Sequence, residues 1–421
     1  MHHFAFREGE LWCEEVPAAR VARNFGTPLY LYSHATLLDH FRKLQKAFSA
    51  VSPLICFSMK ANSNLALCHA LEKAGAGFDV VSGGELRKAL QIGVSPKKLV
   101  FASVGKTEEE IAAAVRAGIL FFNAESLQEC ERIEIICRKL KKRQRVSLRF
   151  NPGVEAHTHA FITTGSKANK FGMDRSTIQS ILSRASDFPS LFFEGIHIHI
   201  GSQILDPKPY QKAIRRALTL VVWGRKNRIS IRWLNIGGGL GIVYRKERPQ
   251  TADDFARAVL PLLRGKGLKI ILEPGRFIAG NSGILITRVL YVKESHGKNF
   301  AIVDAGMNDL IRPSLYGAYH EIAPISQSLS HSPTRVRYDV VGPVCESGDF
   351  LAKERWLPTL NPGDLLAVMG AGAYGFAMSS NYNLRPRAAE VLVRGSRSYL
   401  VRRRETYRDL IRNEIVPGFL K

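Results

Sequence analysis

Lys60 is the residue whose type and position best suit covalent chemistry. It follows a short apolar run, residues 54–59, that is typical of a buried strand, and it precedes polar turn residues. A lysine at the rim of a buried strand is partly desolvated, which disfavours the charged ammonium and leaves a neutral amine that can attack an aldehyde to form a Schiff base. Since most lysines after a strand are simply solvated, this hypothesis depends on the rest of the chain.

Four glycines after another apolar segment could bind a phosphate. Gly237, Gly238, Gly239 and Gly241 follow a predicted strand at residues 232–236, and a loop without side chains lets backbone N–H groups approach an anion closely. A tight turn explains the same glycines equally well. Their spacing differs from that of a Walker loop or a dinucleotide fingerprint, which argues against ATP and NAD as ligands.

Glu273 and Arg276 stand close together after a third apolar run, where a carboxylate could keep a ring nitrogen protonated and a guanidinium could bind an anion. A structural ion pair is the alternative. Upstream, we expect only one of His197 and His199 to face the site, and we choose His199, nearer the strand's end, as a ring-stacking residue. With Lys60 and the glycines, these residues predict a pocket for pyridoxal 5′-phosphate, which has an aldehyde, a phosphate and an aromatic nitrogen.

Two further groups of candidates lie near the carboxyl end of the chain. Cys345 stands beside Glu346 in a turn-rich segment and could donate a proton, although a free cysteine is more often a small buried apolar residue. Arg312 and Tyr316 are four residues apart, a spacing that puts both side chains on one face of a helical turn. That pair would suit a carboxylate.

The elements that must position these side chains repeat as helix, turn and short apolar strand from residue 36 onward, which is the pattern of parallel βα units. Eight strands are predicted, at residues 54–59, 77–81, 99–102, 120–123, 145–150, 193–200, 232–236 and 269–272. Eight such units predict an α/β fold, a (β/α)8 TIM-like barrel. In that fold chemistry lies at the carboxyl ends of the strands, where Lys60, His199 and Glu273 stand.

Beyond residue 283 the pattern changes to alternating strands and turns, which predicts a second, β-rich domain of the barrel or sandwich type. We place an extended amino-terminal segment at residues 1–35, the cofactor-binding barrel at 36–282 and the β-rich domain at 283–421. The small and polar residues 281–283 suit a domain joint. The amino-terminal segment, whose residues 28–32 favour a pleated surface, is expected to pair with the β-rich domain.

The composition is that of an ordinary globular protein, with 45% hydrophobic and 23% charged residues. No segment has the apolar length of a membrane span or a signal peptide, and six cysteines without metal-ligand spacing indicate reduced thiols. We therefore expect no metal, no membrane partner and a cytoplasmic location. Sixty basic against 37 acidic residues give a net charge of +23. Without a nucleic-acid-binding motif, a solvated basic surface is favoured over specific nucleic-acid binding.

Taken together, the motifs resemble the diaminopimelate decarboxylases, which are pyridoxal-phosphate enzymes of the alanine-racemase-like class. The resemblance runs nearly end to end. It rests on residues 58–62, 79–86, 197–203, 273–276, 345–349 and 370–375, and more specifically on residues 308–321 and 373–383. It implies a carboxy-lyase that converts meso-2,6-diaminopimelate to L-lysine and CO2, the last step of lysine biosynthesis. Leu384, after Asn383, departs slightly from the family pattern.

The resemblance implies how the cofactor would be held. Lys60 would carry it, His199 would stack on its ring, and Glu273 would face its pyridine nitrogen. Further contacts with the cofactor are implied for Ser202, Gly238, Gly239, Gly275, Arg276 and Tyr374.

The resemblance also implies how the substrate would be held. Its distal carboxylate would be bound by Arg276, Arg312 and Tyr316, and Tyr374 would line the substrate site. Glu346 would bind the distal amine, and Cys345 would return a proton to the product. In the family these last two residues reach across a dimer, so a homodimer with active sites at the subunit interface is implied.

Three alternatives stay open. A decarboxylase of ornithine, arginine or carboxynorspermidine would lack a partner for a distal carboxylate such as Arg312 with Tyr316. A catalytically silent pyridoxal-phosphate carrier or regulatory paralogue would not need Cys345 and Glu346. A basic nucleic-acid-associated protein would bind DNA with a steep dependence on salt.

Overall fold

The structure is a computed structural model that describes residues 2–155, 169–326 and 334–420. The chain divides into two compact units. The barrel unit is Leu37–Ile278, and the β-rich unit consists of Met1–Thr36 and Ala279–Lys421.

The helices and strands are numbered in chain order. The amino-terminal elements are β1 (Phe4–Arg7), β2 (Glu10–Cys13), β3 (Val16–Pro17), α1 (Ala18–Phe25), β4 (Leu29–Ser33) and α2 (His34–Ala47). There follow β5 (Leu54–Ser58), α3 (Leu65–Lys73), β6 (Gly77–Val80), α4 (Gly83–Gln91), β7 (Leu99–Phe101), α5 (Glu108–Ala117), β8 (Phe121–Ala124) and α6 (Leu127–Lys139). Next come β9 (Gln144–Arg149), α7 (Arg175–Ser183), β10 (Leu191–His197), α8 (Lys208–Lys226), β11 (Trp233–Asn235), α9 (Ala252–Leu263), β12 (Lys269–Leu272) and α10 (Arg276–Ala279). The last are β13 (Gly283–Ser295), β14 (Lys298–Val303), α11 (Arg312–Tyr316), β15 (Ile322–Pro324), β16 (Arg335–Val341), β17 (Phe350–Pro358), β18 (Leu365–Val368), β19 (Ala389–Arg394), β20 (Arg397–Arg402) and α12 (Tyr407–Ile411).

The barrel unit is a closed parallel barrel of the strands β5 to β12, in which β12 pairs with β5. Its strands are short and apolar because both of their faces are buried, as Phe57, Phe78 and Phe101 illustrate. The helices α3 to α7 and α9 each begin at a polar residue whose side chain accepts a backbone N–H bond, whereas α8 follows Pro207 and has no such cap. At α5, for example, Thr107 and Glu110 form a reciprocal capping box. The predicted (β/α)8 barrel is thereby confirmed, with each predicted strand present to within a few residues.

The β-rich unit is built on a sheet of order β17–β16–β14–β13–β4–β19–β20, with β18 also pairing with β13. β4 lies between β13 and β19, so that Leu29 and Leu31 pack with Ile284, Ile286 and Val391 in one apolar core. This central position explains why a strand so early in the chain is wholly buried.

The expectation of extended structure over residues 1–35 is wrong for α1, which occupies Ala18–Phe25. The helix has only eight residues and no side-chain cap at its start. It buries Ala18, Val21 and Ala22 against the apolar core of the β-rich unit, so much of its stability comes from the packing of this apolar face.

Among the described residues, no helix combines the length and the apolar character needed to cross a membrane.

Candidate active site

Lys60 is paired with a buried carboxylate at the carboxyl end of β5. Its Nζ lies 3.0 Å from Oδ2 of Asp79, at the end of the adjacent strand β6, and Ser58 Oγ donates to the same oxygen at 2.5 Å. Asp79 is fully buried, and its Oδ1 has no hydrogen-bond partner among the described residues. Burial raises the pKa of Asp79, and the charge of Lys60 opposes that rise. The lysine is 35% exposed, so its amine is held in place and can still be reached.

Glu273 is the centre of a second buried network, contributed by four different strand ends. Its Oε1 accepts hydrogen bonds from Asn123 Nδ2 at 3.0 Å and Asn235 Nδ2 at 2.5 Å, and its Oε2 lies 3.1 Å from Nε2 of His197. Burial alone would raise the pKa of Glu273, but the charge and hydrogen bond of His197, followed by the charge of Lys60, outweigh it and lower that pKa strongly. Glu273 is therefore an ionised carboxylate inside the barrel.

The expectation that only one of the two histidines faces this end of the barrel is wrong. Residues two apart on a strand share a face, and β10 in any case ends at His197. His197 bonds Glu273, whereas Nδ1 of His199 accepts the backbone N–H of Gly238 at 3.2 Å. Burial, followed by the charges of Lys60 and Arg149, lowers the pKa of His199 well below its usual value, so its ring is neutral.

Arg276 is bonded to a serine and a tyrosine in the loops that follow β10 and β11. Its Nε and Nη2 donate to Ser202 Oγ at 3.2 and 3.1 Å, and its Nη1 donates to the hydroxyl of Tyr244 at 2.6 Å. Glu273, in contrast, is bonded by Asn123, Asn235 and His197, so the described contacts do not make Glu273 and Arg276 the structural ion pair considered above.

The glycines of this region are required by close backbone approach. A Cβ on Gly238 would lie 1.9 Å from the carbonyl oxygen of Glu273, and one on Gly239 would lie 2.2 Å from that of Gly201. A Cβ on Gly275 would come within 3.1 Å of Ser58 and Ala61. These contacts explain the glycines whether or not a phosphate binds beside them.

In the β-rich unit, Cys345 and Glu346 are held by one loop. Asn383 Oδ1 accepts the backbone N–H of Cys345 at 2.8 Å, and the hydroxyl of Tyr382 donates to Glu346 Oε2 at 3.0 Å. Asn383 and Leu384 both have positive φ angles, 54° and 53°. Cys345 is exposed, whereas the other five cysteines are buried.

Arg312 and Tyr316 are the first and last residues of α11, also in the β-rich unit. Arg312 is buried, and its Nη1 lies 2.8 Å from Nε2 of His320, whose Nδ1 lies 2.8 Å from the carbonyl oxygen of Met369. Tyr374 has a φ of 57°, which is uncommon for a residue other than glycine.

The barrel unit thus gathers most of the predicted cofactor residues at the carboxyl ends of its strands. They are Lys60, His199, Ser202, Gly238, Gly239, Glu273, Gly275 and Arg276. Sequence reasoning gave no role to their partners Asp79, Asn123, Asn235 and Tyr244, and it set His197 aside in favour of His199. The detectable signal was a polar residue at the end of an apolar strand, which applies to Asp79, Asn123 and Asn235.

The donor and acceptor types at this end of the barrel fit pyridoxal phosphate. An amine that pairs with a buried carboxylate suits the aldehyde, an ionised glutamate suits a protonated ring nitrogen, and a guanidinium beside a hydroxyl suits a phosphate.

Comparison with known proteins gives the same result. Residues 34–280 match the family model of the pyridoxal-dependent decarboxylase, pyridoxal binding domain. The diaminopimelate decarboxylase of Pseudomonas aeruginosa is 47% identical over 414 residues, which cover 98% of this chain and 99% of that protein.

Two solved structures extend the similarity to three dimensions. Diaminopimelate decarboxylase from Helicobacter pylori complexed with L-lysine has a TM-score of 0.90 and 40% identity, over 94% of this chain and 98% of that one. The enzyme from M. jannaschii in co-complex with L-lysine has a TM-score of 0.94 and 35% identity, over 100% of both chains. The chain therefore belongs to the pyridoxal-dependent decarboxylases, and within them to the diaminopimelate decarboxylase family.

Proposed function

We propose that this protein removes CO2 from meso-2,6-diaminopimelate and releases L-lysine, as the last step of lysine biosynthesis, with pyridoxal 5′-phosphate attached to Lys60. The observation that carries the proposal is the similarity to diaminopimelate decarboxylases over the whole chain, at 47% identity to the Pseudomonas aeruginosa enzyme. Bound pyridoxal phosphate supplies an electron sink for the bond to the departing carboxylate.

The barrel residues prepare that chemistry. Glu273 stays ionised through Asn123, Asn235 and His197, and a fixed anion of this kind keeps a ring nitrogen protonated without reorganisation during the reaction. Asp79 orients the Lys60 amine. The neutral ring of His199 can stack on the cofactor without adding a positive charge beside it.

We propose that residues of the β-rich unit act on the substrate. Arg312 and Tyr316, with Arg276, bind the distal carboxylate, and Tyr374 lines the substrate and cofactor site. Glu346 binds the distal amine, and Cys345 returns a proton to the α-carbon after CO2 has left. The exposure of Cys345 and its backbone bond to Asn383 support a positioned proton donor rather than a packed apolar residue.

The family resemblance further supports a homodimer in which Cys345 and Glu346 serve the partner subunit's cofactor. We also propose a cytoplasmic location, because six free cysteines suit a reducing compartment.

Release of CO2 from meso-diaminopimelate, compared with ornithine, arginine and carboxynorspermidine, tests the function. We expect turnover of meso-diaminopimelate in strong preference to the other three. Preferred turnover of any of the others would contradict the proposed substrate. Visible absorbance after addition of pyridoxal phosphate without turnover of any of the four would favour a silent carrier.

A further inference from the structure

The positive charge of this protein is concentrated in one of its two units. Residues 37–278 contain 39 lysines and arginines against 20 aspartates and glutamates, whereas the rest of the chain contains 21 against 17. The barrel unit therefore carries a net charge of +19, most of the +23 of the whole chain. None of the chemistry proposed above needs such an excess.

Within the barrel unit, the fold brings much of this charge to one place. The loops that precede β9, β11 and β12 lead into the amino ends of these strands. They lie near one another because β9, β10, β11 and β12 are consecutive neighbours in the barrel. This is the end opposite the proposed active site. Ten exposed cations lie here, and we call them the basic arc: Lys141, Lys142, Arg143, Arg225, Lys226, Arg228, Arg232, Arg264, Lys266 and Lys269.

Carboxylates do not neutralise the basic arc. Asp187, which precedes β10, forms an ion pair with Arg184 at 2.9 Å. Glu194, on β10, forms an ion pair with Arg145 at 3.0 Å. In the part of the chain that the structure describes, no arc residue has a carboxylate oxygen within 4.0 Å.

Stabilisation of helix ends accounts for little of the arc. Cations in the last turn of a helix interact favourably with its dipole, but only Arg225 and Lys226 occupy such positions. The others follow the ends of α6, α8 and α9 or begin β12. Side chains that repel one another at close range are costly unless a ligand of opposite charge offsets the repulsion.

We propose that the basic arc binds the phosphate backbone of a nucleic acid. Half of its members are arginines, whose planar guanidinium matches phosphate. The starts of four adjacent β-strands span about 15 Å, which is long enough to contact about four phosphates of one nucleic-acid strand. An anionic membrane fits this surface less well, because few apolar side chains are exposed there. In residues 140–145, 190–195, 225–233 and 264–270, Phe192 is the one large apolar side chain that is exposed. The Arg143 guanidinium lies 4.2 Å from the centroid of the Phe192 ring.

Fluorescence anisotropy of a labelled oligothymidylate, titrated with the cofactor-loaded protein at several salt concentrations, tests the proposal. With about four phosphates contacted, the logarithm of affinity should fall against the logarithm of salt with a slope of about −3. The test variant combines Lys141→Gln, Arg228→Gln and Lys266→Gln, one change in each loop of the arc. The control combines Arg394→Gln, Arg397→Gln and Arg403→Gln, exposed residues of the β-rich unit that lower the net charge equally.

We expect the arc variant to bind about tenfold more weakly, the control variant to bind within about twofold of the parent, and both variants to retain decarboxylase activity. Equal weakening by both variants would reduce the effect to net charge and overturn the proposal. Absence of binding at low salt would overturn it as well. Co-sedimentation of the protein with anionic phospholipid vesicles would also overturn it if oligothymidylate did not displace the protein, because the arc would then bind a membrane surface.

Discussion

Nε2 of His197 lies 3.1 Å from Oε2 of Glu273, and both residues are almost completely buried within the barrel. Because burial disfavours the charged form of a carboxyl group, the charge of Glu273 depends on this histidine and on the amides of Asn123 and Asn235. The pair therefore determines the electrostatics of the site at which a ring nitrogen is proposed to bind.

Glu273→Gln should reduce the decarboxylation rate by about 10²-fold or more, because the ring nitrogen would lose its anionic partner while the side chain keeps its size. Steady-state kinetics with meso-diaminopimelate measure the change, and thermal unfolding checks that the variant is folded. Glu194→Gln serves as the control and should retain the parent rate. Glu194 belongs to the same barrel, but it is bonded to Arg145, near the start of β9 and away from the proposed active site. A parent-like rate for Glu273→Gln would remove Glu273 from its proposed role.

Lys60→Ala should abolish both turnover and the visible absorbance that pyridoxal phosphate gives when it is attached to a lysine. A spectrum of the purified protein, supplied with pyridoxal phosphate, provides the measurement. Lys73→Ala replaces an exposed lysine at the end of α3 and should keep both properties. If Lys60→Ala kept the absorbance and the activity, another residue would carry the cofactor.

Cys345→Ala should lower the rate of decarboxylation by about 10²-fold, the scale of general acid catalysis. Since the other five cysteines are buried, alkylation of the native protein by iodoacetamide should report on Cys345 and be lost in this variant. An unchanged rate would return Cys345 to a structural role.

Asn383 should matter to the same step because its Oδ1 accepts the backbone N–H of Cys345. Asn383→Ala removes this acceptor and places alanine at a positive φ, so we expect kcat to fall about three- to tenfold and the alkylation rate of Cys345 to change. Asn383→Asp keeps the oxygen and should retain more of both. Identical behaviour of the two variants would argue against positioning through this bond.

Asp309 should make the β-rich unit sensitive to pH. Burial raises its pKa from 3.8 to about 7, so between these values the folded protein holds a proton that the unfolded chain has released. The resulting stabilisation is complete below about pH 4 and is lost as the pH rises through about 7. The difference in the free energy of unfolding between Asp309→Asn and the parent should therefore shift in favour of the variant as the pH rises from 4 to 7. The shift should be at most about 1.4 kcal/mol per pH unit.

Urea denaturation of Asp309→Asn and the parent at pH 5 and pH 7 measures this difference. Glu294→Gln, exposed on β13 of the same unit, provides the control and should show the same pH dependence as the parent. A constant difference between Asp309→Asn and the parent across this range would mean that Asp309 titrates normally.

The sequence by itself determined the barrel and indicated the charged residues that lie at its strand ends. Apolar strands that alternate with amphipathic helices are local patterns, so they could be read without knowing what each element contacts. Lys60 and Glu273 were recognisable because each is a charged residue directly after an apolar run, and Arg276 because it follows Glu273 by three positions. The short helix α1 escaped because it depends on packing against the core of the β-rich unit.

The tertiary structure decided which of these residues meet. Asn123 and Glu273 are 150 positions apart in sequence, and His197 and Glu273 are 76 apart, yet each pair is bonded. The cations of the basic arc likewise come from separate loops, which lie near one another because β9, β10, β11 and β12 pair side by side. The physical reason is that a strand's own residues decide whether it is buried, whereas its neighbours are set by how the whole sheet closes.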